Sequence, residues 1–215
     1  MTTAWHLRVA DTARGCHHID TASIHHGVMN NPQSILELFA RKGAIAYEGE
    51  GISQIEHAWQ CGQLARAAGA SQALQLASWL HDLGHLLTDL DGSPTVQGID
   101  DRHEHTAARM LDAIWGHDVA EPVRLHVAAK RYLVATYPQY CEQLSPDSVR
   151  SLALQGGPMD LAECIEFQAN RYALDAQQLR SWDDSGKRPG WFASDTQHAL
   201  NELRALMDRV HFLPN

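Results

Sequence analysis

The stretch ALQLASWLHDLGHLLTDLDG, which runs from Ala73 to Gly92, is the most informative part of this 215-residue chain for its fold. Its apolar residues recur with the spacing of a core helix, and Ser71 stands where an N-cap would. Yet His81 and Asp82 lie side by side in the apolar middle of the stretch, and His85 follows one turn later. A buried charge is costly unless it is paired or bound to a metal. The stretch therefore predicts a core helix that holds a polar or metal-binding group inside the fold.

Helical periodicity continues on both sides of this stretch, and no segment alternates convincingly as a β-strand does. Upstream, the pattern predicts a helix that begins at Ser34 and ends at Gly43, and a second helix over 51–70. Downstream of a polar loop, it predicts helices over 103–116, 121–135, 146–154, 160–181 and 194–210. These elements indicate one all-α domain.

Composition excludes several classes of function and location. The formal net charge of −9 argues against a general affinity for nucleic acid or an anionic membrane. The four cysteines show no CxxC pair, which argues against a disulfide framework or a thiolate zinc site. Because the sequence shows neither an apolar signal core nor an apolar run long enough to span a bilayer, we expect a cytoplasmic protein.

Imidazole and carboxylate side chains recur at wide intervals on the predicted helices. Their order is H-x23-HD-x20-H-x22-H-x56-D, formed by His57, His81, Asp82, His103, His126 and Asp183. Ligands from separate helices are typical of metal sites in helical bundles, and nitrogen and oxygen ligands without thiolate suit iron or manganese. Six ligands are too many for one catalytic metal with open positions, which favours two metals that share Asp82.

Any one of these histidines, taken alone, is better explained as a hydrogen-bonded core residue, so the prediction depends on the ordered set. His105 competes with His103, but residues two apart do not share a helix face, so at most one of them points at the metals. Surface positions are expected for seven other histidines: His17, His18, His25, His26, His117, His198 and His211.

The ordered set resembles the HD-domain superfamily, most of whose members are metal-dependent phosphohydrolases. Five segments narrow the resemblance to the PhnZ-type phosphonate oxygenases: YEGEGISQIEH (47–57), LASWLHDLGH (76–85), HVAAKRYLV (126–134), LQGGPMD (154–160) and RSWDDSGK (180–187). This resemblance implies an HD-domain helical bundle over 34–215 and leaves 1–33 as an N-terminal extension without an assigned role. Trp191 and Phe192 lie in a poorly matched tail, where they would either close the pocket or pack a terminal helix, and we expect packing.

The resemblance implies a mixed-valent pair of iron ions, Fe(II) and Fe(III). One iron would be held by His57, His81, Asp82 and Asp183, and the other by Asp82, His103 and His126. Tyr47, Glu50 and Lys130 would be catalytic: the tyrosine occupies an open iron position until substrate arrives, the glutamate meets an ammonium group, and the lysine binds a phosphonate oxyanion. Further phosphonate contacts are implied for His85, Ser148 and Arg180.

Glu50 indicates which amino group the substrate carries. A carboxylate favours a primary ammonium that can donate hydrogen bonds, whereas a trimethylammonium group is better served by an aromatic cage. We therefore expect (R)-2-amino-1-hydroxyethylphosphonate and O2 as substrates, glycine and phosphate as products, and a monomer or homodimer. Three alternatives remain open: a trimethylammonium or unsubstituted hydroxyphosphonate as substrate, an HD phosphohydrolase that needs no O2, and a ligand-sensing module without activity.

Overall fold

The computed structural model describes residues 31–47, 49–88, 94–192 and 195–211. The elements at the N-terminal side are α1 (Pro32–Lys42), β1 (Ala46–Tyr47), β2 (Ile52–Ser53), α2 (Gln54–Ala67), α3 (Gln72–Leu80) and α4 (Leu83–Leu87). They are followed by α5 (His103–Trp115), α6 (His117–Thr136), a 3-10 helix (Pro138–Gln143), α7 (Pro146–Leu154), α8 (Leu161–Ala169), α9 (Ala173–Ser185) and α10 (Thr196–Met207). The predicted all-α bundle is confirmed.

Helix α6 lies at the centre of the bundle and contacts α3, α5 and α9. The main apolar core joins α1, α2, α3, α5 and α10 and includes fully buried Ile35, Leu76, Leu111 and Leu203. A smaller cluster around Phe167 joins α6, α8 and α9. Because α2, α3, α6 and α9 meet around the buried middle of the bundle, polar residues on their inner faces can converge there.

The core helix predicted within the stretch 73–92 is interrupted where its polar residues lie. Helix α3 ends at Leu80, His81 and Asp82 form a turn, and α4 begins at Leu83. Consecutive residues of a continuous α-helix point about 100° apart. The turn, with Asp82 at φ −96° and ψ 11°, allows the His81 and Asp82 side chains to face the same site instead.

The helix predicted over 51–70 begins later than expected, because a short hairpin precedes it. Tyr47 pairs with Ile52 in the antiparallel strands β1 and β2. Ser53 then accepts the N–H of Glu56, and the Glu56 carboxylate accepts the N–H of Ser53, which forms a capping box at the start of α2. Strands of two residues each are too short to show alternation, so the sequence pattern could not predict them.

Two further expectations concern the C-terminal half. The helix predicted over 160–181 is two helices, α8 and α9, which separate at Asn170, where the backbone is extended and the side chain accepts the N–H of Tyr172. Trp191 and Phe192 both pack edge-on against Trp59 of α2, with ring centroids 5.9 and 5.4 Å away, which supports a packing role for them.

The extension at 1–33 lies almost wholly outside the described residues, which begin at residue 31, so the proposed domain division stays a prediction. Within the part of the chain that the structure describes, no helix has both the length and the apolar character needed to cross a membrane.

Candidate metal centre and substrate cleft

The six residues predicted from their spacing lie together in two groups. His57, His81, Asp82 and Asp183 form one group, and Asp82, His103 and His126 form the other, with the candidate ligand atoms of each group within 4.8 Å of one another. Helices α2, α5, α6 and α9 supply four of these residues, and the α3–α4 turn supplies His81 and Asp82. All six are buried, and Asp82 belongs to both groups.

The two oxygens of Asp82 face different groups. Oδ2 lies 3.5 Å from Nε2 of His57 and 3.3 Å from Nε2 of His81. Oδ1 lies 3.4 Å from Nε2 of His103 and 3.8 Å from Nε2 of His126. This arrangement is that of a carboxylate able to bridge two cations.

Hydrogen bonds on the far side of each imidazole direct its Nε2 into the centre. The Nδ1–H of His57 donates to the carbonyl of Gly186 at 2.9 Å, and that of His126 donates to the carbonyl of Val123 at 2.7 Å. His81 and His103 have equivalent partners in Ser78 O and Asp101 Oδ1, each at 2.9 Å. Outer hydrogen bonds of this kind are typical of metal-binding histidines.

The inward atoms then need a cation between them. Nε2 of His57 lies 3.2 Å from Nε2 of His81, and the same distance separates Nε2 of His103 from Nε2 of His126. Two lone pairs at that distance repel each other unless a proton or a metal ion lies between them. The buried Oδ1 of Asp183 also accepts no hydrogen bond. The donor set therefore fits two metal ions.

The electrostatics of the centre lead to the same conclusion. Burial lowers the pKa of His81, but the nearby carboxylates of Asp82 and Asp183 act more strongly and raise it to about 10. Burial raises the pKa of Asp82, yet the His81 and His57 rings hold it well below its usual range. The site thus attracts positive charge, which protons or metal ions can supply in competition.

The β1–β2 hairpin brings Tyr47 and Glu50 to the mouth of the centre. The Tyr47 hydroxyl donates to Oδ2 of Asp82 at 2.9 Å, and its ring stacks on His57 with centroids 4.1 Å apart. Glu50 lies in the hairpin loop and lines the same cleft. Glu50 does not serve as an acidic residue in the first turn of a helix, because α2 begins only at Gln54.

Cationic side chains line the same cleft. Lys130 is buried one turn beyond His126, and its Nζ donates to Oγ of Ser151 at 2.7 Å. Burial and the charge of Arg180 lower the pKa of Lys130 to about 7. Ser148 accepts from Arg180 at 3.3 Å and from Lys187 at 3.4 Å. All five side chains face the cleft, so an oxyanion entering it would find several donors.

Sequence reasoning did not single out the cleft residues Ser151, Lys187 and Asp101. Lys187 lies on the matched segment RSWDDSGK, four residues after Asp183 and 3.4 Å from its Oδ1, and this i,i+4 spacing could have indicated it. Asp101 joins His85 and His103 through hydrogen bonds of 2.7 and 2.9 Å. No local pattern indicated Asp101, because its role depends on the path of the loop before α5.

Arg180 and the histidines outside the two ligand groups lie in different places. Arg180 lies in the cleft wall, but its guanidinium already contacts Asp183 at 2.6 Å and Asp184. His105 is half-exposed and belongs to neither group. His117, His198 and His211 lie at the surface, as expected, whereas His17, His18, His25 and His26 fall outside the described residues.

Comparison with known proteins identifies the family. A 1-hydroxy-2-(trimethylamino)ethylphosphonate dioxygenase (glycine-betaine-forming) of Leisingera caerulea is 35% identical over 173 residues, which cover 80% of this chain and 88% of the relative. A hydroxymethylphosphonate dioxygenase of Gimesia maris is 38% identical over 176 residues, with coverage of 81% and 87%. An uncharacterized protein of Acanthamoeba polyphaga mimivirus is 31% identical over 162 residues.

No profile of a known protein family matches the chain. The two dioxygenases nevertheless align with about four fifths of it at more than one residue in three. The resemblance proposed from the five sequence segments is thereby confirmed. The chain belongs to the PhnZ-type family of hydroxyphosphonate dioxygenases and is an O2-dependent oxidoreductase.

Proposed function

We propose that the centre holds two iron ions and that the enzyme cleaves the C–P bond of a 1-hydroxyphosphonate. One iron would be bound by His57, His81, Asp82 and Asp183, and the other by Asp82, His103 and His126. The observation that carries the proposal is that two ligand groups share Asp82. Both groups open onto a cleft whose lining includes cationic side chains. Metal-binding imidazole and carboxylate groups of this kind suit iron.

The substrate would be (R)-2-amino-1-hydroxyethylphosphonate. The two relatives act, by their names, on substrates that differ in the group beyond the hydroxyl-bearing carbon, so that group cannot be inferred from similarity. Glu50 at the cleft mouth favours a primary ammonium. Among the described residues that line the cleft, Tyr47 is the only phenylalanine, tyrosine or tryptophan, and its hydroxyl is already hydrogen-bonded to Asp82. A trimethylammonium cage would need more aromatic rings.

Lys130, Lys187 and Ser148 would hold the phosphonate against the inner wall. The lysines contribute charge. Ser148 Oγ accepts from Ser145, Arg180 and Lys187, so its hydroxyl proton can be donated to an oxyanion. His85 faces the same cleft from α4. With the phosphonate held at this wall and the ammonium at Glu50, the hydroxyl-bearing carbon between them is directed toward the shared carboxylate of Asp82.

The reaction balances without another reductant. The C–H and C–P bonds of the hydroxyl-bearing carbon break, the carbon becomes a carboxylate and phosphorus leaves as phosphate, while one O2 is reduced by four electrons and both of its atoms are retained in the two products. Iron, when bound, supplies the activation of O2. The protein supplies orientation and charge neutralisation.

The test is phosphate release from racemic 2-amino-1-hydroxyethylphosphonate by the iron-loaded protein, in air and under strict anaerobiosis. Hydroxymethylphosphonate, the trimethylammonium analogue and a generic phosphate ester serve as parallel substrates. We expect phosphate and glycine from the amino substrate in air alone. Phosphate from the ester regardless of air, with every phosphonate intact, would instead indicate a phosphohydrolase, which the dioxygenase relatives do not favour. Faster turnover of either other phosphonate would retain the reaction and change the substrate.

A further inference from the structure

The carboxylate of Asp101 hydrogen-bonds two histidines with different surroundings. Its Oδ1 accepts the Nδ1–H of His103 at 2.9 Å, and its Oδ2 accepts the Nδ1–H of His85 at 2.7 Å. The Asp101 side chain is only 6% exposed, so water competes little for these bonds. His103 belongs to the second ligand group, whereas His85 lies outside both groups that contain Asp82 and faces the cleft.

The two imidazoles are also held against each other. Their rings stack with centroids 3.9 Å apart and planes inclined by 24°. Since both Nδ1 atoms are directed to the same carboxylate, the stacked rings share one orientation, and their Nε2 atoms lie on the side of Asp82, at 3.4 Å for His103 and 4.0 Å for His85. A displacement of one ring would therefore be transmitted to the other.

The backbone between Asp101 and His103 is shaped for this contact. Arg102 has φ 49° and ψ 37°, and it is the one non-glycine residue with positive φ in the part of the chain that the structure describes. This left-handed residue reverses the chain just before α5, so that the Asp101 carboxylate lies beside the ring two residues later. Residues in sparsely populated backbone conformations cluster at functional sites, where the surrounding structure holds them in place.

We propose that Asp101 is a positioning residue that sets the orientation and the Nδ1–H tautomer of His103 and His85 together. Asp101 would thereby align His103, as a metal ligand, with His85, as a contact to the phosphonate. The inference deepens the proposed function and rests on it for the role of His85. Its metal-binding consequence can be measured without any substrate.

The informative variant is Asp101→Asn, which keeps the shape of the side chain. A carboxylate offers two acceptor oxygens, but an amide offers one acceptor and one NH2 donor, so only one of the two Nδ1–H groups can keep its partner. The other imidazole must change its tautomer or rotate. The matched control is Asp112→Asn, because Asp112 makes a similar 2.8 Å contact to Nδ1 of His117 at the exposed end of α5.

The first experiment is anaerobic titration of each metal-free variant with Fe(II) against a competing chelator. The second measures the kinetics of each iron-loaded variant with 2-amino-1-hydroxyethylphosphonate. For Asp101→Asn we expect one of the two iron equivalents to bind about 10- to 100-fold more weakly, as other outer-sphere partners of metal-bound histidines suggest. We also expect KM to rise at saturating iron. The Tm of the metal-free Asp101→Asn protein should fall only slightly, because one Nδ1–H loses its partner. Asp112→Asn should keep the wild-type Tm, both iron equivalents and KM.

Two outcomes would overturn the inference. One is wild-type iron affinity and KM in Asp101→Asn. The other is a fall in the Tm of its metal-free form that accompanies an equal weakening of both iron equivalents, which would indicate a general structural role. Failure of the proposed function looks different, because the wild-type protein would then release no phosphate from any phosphonate, whatever the behaviour of Asp101→Asn in the Fe(II) titration.

Discussion

Gly84 lies directly against the backbone of His103. A Cβ atom built at position 84 would be 2.1 Å from the carbonyl oxygen of His103 and 2.7 Å from its Cα, distances that real Cβ atoms do not adopt. The glycine of the HDLGH segment therefore permits α4 to approach the start of α5, which brings His85 onto the ring of His103.

Replacing Gly84 with Ala should displace the first turn of α5 from α4 and move His103 out of the second ligand group. We expect iron binding at that group to weaken at least tenfold, with loss of turnover. Iron stoichiometry and phosphate release measure both effects. Gly69→Ala is the control, since its position has positive φ but open space around it. It should cost about 1–2 kcal/mol of stability without altering iron binding. Full iron occupancy and activity in Gly84→Ala would contradict this packing argument.

The bridging position of Asp82 predicts a loss that is shared by both ligand groups. Its two oxygens lie 3.3–3.5 Å from the nearest imidazole nitrogens of either group. Asp82→Ala should therefore abolish tight binding of both iron equivalents and turnover together. Metal analysis after desalting, combined with phosphate release, provides the measurement. A variant that kept both irons and full activity would show that Asp82 does not bridge.

Glu50 predicts a change in substrate preference with little change in chemistry. In Glu50→Gln the side chain keeps its size but loses its charge, so the primary ammonium loses a charge-assisted partner. We expect KM for 2-amino-1-hydroxyethylphosphonate to rise roughly tenfold, while kcat changes much less. Hydroxymethylphosphonate has no ammonium, so its KM serves as the internal control. Equal changes for both substrates would remove Glu50 from ammonium recognition.

The buried Lys130 side chain should lower the stability of the folded protein. Burial and the Arg180 charge lower its pKa from 10.5 to about 7. Below pH 7 the folded and unfolded chains both hold the proton, and the charge is buried at full cost. Between pH 7 and 10.5 the unfolded chain binds a proton that the folded chain has released, so this contribution to stability improves as pH rises.

Lys130→Met should accordingly raise the free energy of unfolding at pH 6 by roughly 1–4 kcal/mol, while it weakens phosphonate binding. The gain should shrink as the pH approaches 9. Urea unfolding of the iron-loaded variant and wild type at the two pH values tests this, with iron content measured in the same samples. A variant that is less stable than wild type at pH 6 would show that the lysine charge is well compensated in the cleft.

The left-handed backbone of Arg102 predicts that two substitutions at this position differ in effect. Glycine adopts the left-handed conformation of Arg102 readily, whereas a β-branched residue does not, and the difference is about 1–2 kcal/mol. Arg102→Gly should keep wild-type iron affinity and near wild-type stability. Arg102→Val should be less stable and bind iron at the second group more weakly. Chelator competition and thermal unfolding compare the pair, and equal behaviour of the two variants would show that the backbone conformation does not matter to the centre.

The sequence alone determined the class of fold and predicted a cluster of residues of metal-ligand type, which the structure brings together. Helical periodicity is a local property, so helices such as Pro146–Leu154 were predicted with their observed bounds. The order and spacing of His57, His81, Asp82, His103, His126 and Asp183 predicted their convergence, because each chemical type is visible in the sequence and separate helices of a bundle can direct such residues to one centre. The five segments identified the family because their residue patterns are likewise visible in the sequence.

Only the tertiary structure decided how these groups are oriented. The turn at His81 and Asp82, which a helical pattern conceals, directs two neighbouring side chains to one site. The contacts of Asp101 with His85 and His103, and the tight approach of Gly84 to His103, join segments whose geometry depends on a loop and a left-handed residue. Such relationships arise from packing between distant residues, and no periodicity or local propensity records them.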